Sequence, residues 1–184
     1  ARHLRLAGVT CARCHGAAAT KFSLFASLSN FPIMYMTTID AKLVALDSRT
    51  GKRIWEKVIV DYKQGYSMTV APLIVKDKII IGPAGGELGI RGFLAAYDAK
   101  TGDQLWRFNT VPQPGEPGNE TWGLESWKYG GGSVWLTGSY DPELNLIYWG
   151  IGNPSSDFYD EFRPGSNLYT NCIIALNPDT GKMQ

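Results

Sequence analysis

The sequence predicts an all-β protein, part of a β-propeller, and three observations carry that expectation. One hairpin pattern recurs three times along the chain. Six Trp, nine Tyr and 21 Gly among 184 residues suit a fold of many short strands and tight turns. No stretch shows a sustained helical period.

The first copy of the pattern is Ala45-Leu46-Asp47-Ser48-Arg49-Thr50-Gly51-Lys52-Arg53-Ile54-Trp55. Ala96-Tyr97-Asp98-Ala99-Lys100-Thr101-Gly102-Asp103-Gln104-Leu105-Trp106 is the second, and Ala175-Leu176-Asn177-Pro178-Asp179-Thr180-Gly181-Lys182-Met183 the third. The first two lie about 50 residues apart, the length of a propeller blade. A longer gap precedes the third. It implies an insertion, placed at the Pro/Gly stretch Val111 to Asn119 and the glycine run after it. In the first two copies an apolar strand ends at Asp47 or Asp98, a Thr-Gly turn follows, and a second strand carries Trp55 or Trp106. The Asp side chain is free to accept from turn amides, and Gly is free to take a positive φ. Each Trp can lie flat on the neighbouring blade's backbone, so Trp55 and Trp106 are read as structural.

Between these hairpins, Ala71 to Val75 and Lys78 to Gly82 read as strands joined by a polar Lys76-Asp77 turn. Leu144 to Gly150 reads as another strand. The repeat alone fits a propeller used only as a docking platform equally well.

A hydrophobic fraction of 44% excludes a disordered chain. Eighteen basic against 17 acidic residues give no basic face for nucleic acid. No apolar run is long enough to cross a bilayer. Ala1-Arg2-His3-Leu4-Arg5 lacks the apolar region of a secretory signal. There is no initiator Met, and the third repeat stops before its expected Trp. Both ends are therefore expected to be cut. Cys11, Cys14 and Cys172 do not fix a compartment, and Cys172 is expected to be a small buried apolar residue.

Several further motifs occur in order. They are Gly65-Tyr66-Ser67-Met68-Thr69-Val70-Ala71-Pro72, Gly85-Gly86-Glu87-Leu88-Gly89-Ile90-Arg91-Gly92, and Thr121-Trp122 through Trp127-Lys128. Gly130-Gly131-Gly132-Ser133-Val134-Trp135, Tyr140-Asp141-Pro142-Glu143-Leu144 and Gly152-Asn153-Pro154 follow. From Met34 onward the chain resembles the methanol/ethanol dehydrogenase family of pyrroloquinoline-quinone (PQQ) enzymes. That resemblance implies an eight-bladed propeller, of which residues 34–184 would hold roughly three blades.

The resemblance also implies site residues. Glu87 looks like a metal-ligand carboxylate and Asn153 like an amide-oxygen ligand, the donors a hard cation takes. Calcium and a lanthanide both remain open. Trp135 looks like the floor on which the planar PQQ ring stacks, the preceding glycines letting backbone approach it. Thr69 and Ser133 would offer hydroxyls to the cofactor, and Ala84, Gly85 and Gly86 would line its edge. Ala84 departs from the Ser often found there. The implied reaction is oxidation of a primary alcohol to an aldehyde by hydride transfer to the metal-bound quinone. The implied partners are a small alcohol and an electron-accepting cytochrome c or quinone, in the periplasm. The aspartate base of the family lies in a blade beyond residue 184, so this chain alone is expected to be inactive.

Upstream of Met34 the likeness fails. Residues 1–33 lack the adjacent cysteines and the Asn-Arg-Gly motif of the family and are read as a divergent or artefactual segment. Cys11-Ala12-Arg13-Cys14-His15 matches the c-type haem attachment motif, with Met34 or Met36 available as a second axial ligand. Only about 20 residues then precede the first propeller strand, fewer than a haem pocket normally needs, so no haem is expected. Two other readings stay open. One is a cofactor-free propeller scaffold of the outer-membrane assembly type. The other is a polymer-oxidising quinohaemoprotein with an N-terminal cytochrome.

Overall fold

The computed structural model describes residues 26–27 and 32–184. The haem-type motif at Cys11, Cys14 and His15 lies outside the described residues. The strands are β1 (Ala26–Ser27), β2 (Ile33–Thr37), β3 (Lys42–Asp47), β4 (Arg53–Val58), β5 (Leu73–Val75) and β6 (Lys78–Ile81). They continue with β7 (Phe93–Asp98), β8 (Gln104–Asn109), β9 (Ser139–Asp141), β10 (Leu146–Gly150) and β11 (Ile173–Leu176). Three sheets result, ordered β1-β2-β3-β4, β5-β6-β7-β8 and β11-β10-β9. Every neighbouring pair is antiparallel and consecutive in sequence, the meander of a propeller blade.

The repeated turn forms for a local reason. Asp47 Oδ1 accepts from Arg49 N, Thr50 N and Thr50 Oγ1 at 2.9, 2.7 and 2.9 Å. Asp98 Oδ1 accepts from Lys100 N and Thr101 N, both at 2.8 Å. Asn177 Oδ1 takes the same place, accepting from Asp179 N and Thr180 N at 2.9 and 3.2 Å. Gly51, Gly102 and Gly181 close the turns with φ of 68°, 73° and 70°. Leu46 then pairs with Arg53, Tyr97 with Gln104, and Leu176 with Met183, the same register each time.

The tryptophans join one blade to the next. A Cβ added at Gly102 would sit 3.0 Å from two ring atoms of Trp55, and one added at Gly181 would sit 2.6 Å from Trp106. Each indole thus lies on the glycine turn of the following blade, where an added Cβ would crowd the ring. Trp106 Nε1 also donates to Pro178 O at 2.8 Å. The matching carbonyl for Trp55 is that of Ala99. Tyr35 Oη donates to it at 2.8 Å, and Trp55 Nε1 is buried with no hydrogen-bond partner among the described residues.

Inner strands are buried on both faces. Ile79, Ile80, Ile81, Phe93, Leu94, Ala95 and Ala96 are fully enclosed, whereas every residue of the outer strands β4 and β8 is exposed or half-buried. Cross-blade bonds from Thr37 Oγ1 to Val70 O and Thr137 Oγ1 to Ala71 O complete the packing, at 2.7 and 2.9 Å.

Two expectations need correction. The extra length before the third repeat is not confined to 111–119 and the glycine run, because the β10–β11 connection at 151–172 is also long. Cys172 is half-buried, not buried; its Sγ donates to Tyr169 O at 3.0 Å, and burial raises its pKa. Met34 and Met36 are residues of β2.

The two Trp contacts differ by one hydrogen bond. Trp106→Phe is therefore expected to cost about 1 kcal/mol more than Trp55→Phe in urea unfolding. Equal losses would refute the assigned role of the Pro178 carbonyl.

Candidate functional site

Three connecting segments meet at one end of the blades. The first leaves β6 as Gly82-Pro83-Ala84, where Ala84 pairs with Ser67 through bonds of 2.8 and 3.2 Å. It then makes a tight 3-10 turn, Gly86–Leu88, between Gly85 at φ 107° and Gly89 at φ 69°. Those left-handed glycines reverse the chain sharply, and Glu87 stands exposed on the turn. The second segment is Gly130 to Trp135 and the third Gly150 to Ser155.

A small ladder ties the segments together. Gly131 bridges Arg91 in parallel on one side and Pro154 antiparallel on the other. Gly92 N donates to Gly131 O, Gly131 N to Ile90 O and Gly132 N to Asn153 O, at 2.8, 2.8 and 2.9 Å. Glycine is required here by space as well as by torsion. A Cβ on Gly92 would lie 2.0 Å from Gly132 O, and one on Gly131 would lie 2.7 Å from Ser155 N.

The segments enclose an open cleft of about 490 Å³. Glu87, Asn153, Ser133, Thr69 and Trp135 line it, with Ala84, Gly85 and Gly86 along its edge. The structure thus brings together all the residues that the sequence motifs singled out. Glu87, Asn153 and Ser133 make no side-chain hydrogen bond or ion pair among the described residues. Thr69 Oγ1 is 3.4 Å from Trp135 O and donates to it across the blade boundary. The Trp135 side lies open, with 51% of the residue exposed. Cβ atoms added at Gly86 and Gly152 would come 2.9 and 3.0 Å from Ser133 Oγ, so both glycines leave that hydroxyl free.

Asp157 also lines the cleft and was missed in the sequence. No spacing rule marks it. It follows Asn153-Pro154 in a segment without regular structure, and only the return of the chain after β10 aims it inward.

A family model described as the PQQ-type glucose/ethanol/alcohol dehydrogenase β-propeller domain matches residues 33–184. The chain belongs to this family. Among curated relatives of this PQQ propeller, a quinoprotein alcohol dehydrogenase, PedH, of Pseudomonas putida is 44% identical over 168 aligned positions. The alignment covers 83% of this chain and 28% of that protein. A lanthanide-dependent methanol dehydrogenase of Methylacidiphilum fumariolicum is 41% identical, covering 81% of this chain and 27% of that one. Among solved structures, a europium-containing methanol dehydrogenase superposes with a TM-score of 0.80 at 38% identity, over 86% of this chain and 30% of that one. The PQQ-propeller chain therefore spans under a third of the length of these relatives.

Gly51 and Gly131 share a left-handed φ but differ in surroundings. Gly51→Ala meets nothing within 4 Å and is expected to cost only backbone strain, about 1 kcal/mol. Gly131→Ala should cost distinctly more, because backbone must move. Chemical denaturation of the two variants checks this, and equal costs would mean the ladder yields freely.

Proposed function

We propose that the chain forms one wall of the cofactor and cation site of a PQQ-dependent alcohol dehydrogenase. The observation that carries this reading is the shared cleft. It gathers a carboxylate, an amide and a hydroxyl that are unpaired among the described residues, beside an exposed indole. A hard cation takes oxygen donors, and an indole face suits a fused planar quinone. The cleft volume lies in the range of small-molecule sites. The residues present fit the group that the family name implies.

In this reading Glu87 and Asn153 hold the cation, calcium or a lanthanide. Ser133 offers its hydroxyl to the cofactor rim. Trp135 supplies the stacking floor, and the Thr69 hydroxyl steadies the Trp135 backbone by donating to its carbonyl. Ala84, Gly85 and Gly86 keep the edge low enough for a flat ring to enter. The chemistry a bound quinone and its cation supply is acceptance of hydride from the alcohol carbon, which turns a primary alcohol into an aldehyde. The base that takes the hydroxyl proton is expected outside this sequence.

Periplasmic location and transfer of electrons to a cytochrome c or a quinone belong to the same proposal. Methanol dehydrogenases whose names carry cytochrome c stand among the relatives, one of them 41% identical. No helix among the described residues is long and apolar enough to cross a membrane. The converging oxygen donors favour this reading over a cofactor-free scaffold, which has no use for them.

The test is a chimera in which this chain replaces the matching segment of the Pseudomonas putida quinoprotein. Dye-linked ethanol oxidation with PQQ and calcium or lanthanum should be retained. Glu87→Gln should lower it by about 100-fold or more. The isolated chain, given the same additions, should show no turnover. A Glu87→Gln chimera at the unmodified rate would overturn the ligand assignment.

A further inference from the structure

Arg91 stands on the ladder, outside the cleft. Its backbone forms the rung with Gly131, which in turn bridges Pro154. The segments that carry Glu87, Ser133 and Asn153 all meet at this rung. Tyr66 grips it from behind, with Tyr66 Oη donating to Arg91 O at 3.2 Å and accepting from Arg91 N at 3.1 Å.

The Arg91 side chain points into the long β8–β9 connection. Nε donates to Val111 O at 2.8 Å, one terminal nitrogen to Gln113 Oε1 at 3.2 Å, and the other to Glu116 Oε2 at 3.2 Å. The guanidinium also sits 5.4 Å from the centre of the Trp127 ring. Its side chain is 17% exposed. Glu116 is itself fixed, accepting from Asn109 Nδ2 and Gln113 N at 2.7 and 2.8 Å. Burial lowers the Arg91 pKa, and the Glu116 charge opposes that shift.

We propose that Arg91 is a positioning residue for the cation site, pinning the rung between the Glu87 and Asn153 segments to the 111–116 insertion. The proposal rests on the reading of Glu87 and Asn153 as cation ligands. Both ligands sit on loops, and a cation's oxygen donors must lie within about 2.6 Å of it. A loop pair meets that demand only if something fixes its relative placement. The Gly131 ladder supplies the link, and the planar fork of Arg91 anchors the link to a third segment. A lysine has no such fork and cannot serve three acceptors on one plane. This gives the inserted 111–116 segment a purpose beyond covering the blade edge.

The probe is terbium titrated into the metal-free chimera described above, with emission sensitised by excitation of tryptophan and coordinated water counted from lifetimes in H2O and D2O. Arg91→Ala should weaken terbium binding by about 10- to 100-fold and add coordinated water. Methylguanidinium, which can fill the vacated place, should restore both readouts. Arg91→Lys should not restore them. Glu116→Gln, which keeps Arg91 but removes its ionic partner, should weaken binding in the same direction and covers the case in which Arg91→Ala does not fold. Binding by Arg91→Ala within about twofold of the unmodified chimera, with unchanged hydration, would overturn the proposal. So would a loss that methylguanidinium leaves untouched, or unchanged binding by Glu116→Gln. If the unmodified chimera and its Glu87→Gln variant bind terbium alike, or neither binds, the cation-site reading itself has failed.

Discussion

An indole laid on a glycine turn sets the spacing of this molecule. Trp55 lies on Gly102 and Trp106 on Gly181, so close that a Cβ at either glycine would crowd the ring. The contact buries a large flat surface and fixes one blade against the next without interdigitation. Inner strands then lie between neighbouring sheets, which is why β6 and β7 are apolar on both faces. The carboxylate or amide that shapes each turn also presents the glycine, so one short sequence pattern serves both the hairpin and the blade interface.

Polar contacts reinforce this packing from the blade rims. Asp179, in the third turn, meets Lys76 and Lys78 of the second sheet at 2.9 and 3.2 Å, and Asn145 at 2.9 Å. Hydrogen bonds from Lys76 and Asn145 hold its carboxyl well below the usual carboxylate range. Lys57 and Asp103 repeat the theme between the first two sheets at 2.9 Å. These pairs are partly exposed, so their net worth is small beside the half-buried indoles. They match one blade's rim to the next and add specificity to the contact.

With the blade spacing fixed, the loops at one end are forced into the same space. Glycine resolves the crowding. Gly92, Gly131 and Gly132 let three backbones approach closely enough to hydrogen-bond, and Gly86 and Gly152 leave room beside the buried Ser133 hydroxyl. The result is a cleft whose walls are loops yet whose floor is tied to sheets. Arg91 carries that restraint outward into the inserted segment.

The hairpin repeat and its turns were legible in the residues themselves, because each turn is closed by bonds between positions two to four apart. Trp55 and Trp106 followed from the same pattern. The cleft residues were legible only through the resemblance carried by their motifs, since nothing local makes Glu87 differ from a surface turn glutamate or Trp135 from a core tryptophan. Other features were not written in any short window. Asp157 enters the cleft through the path of an irregular loop. The division of the extra length between two connections depends on where β9, β10 and β11 pair. The bond from Tyr35 to the Ala99 carbonyl, and the hold of Arg91 on Val111, Gln113 and Glu116, join groups far apart in sequence. The sequence by itself determined the blades, because their bonds are local. The tertiary structure alone decided which loops meet and what holds them there, because those bonds form only after the blades have packed.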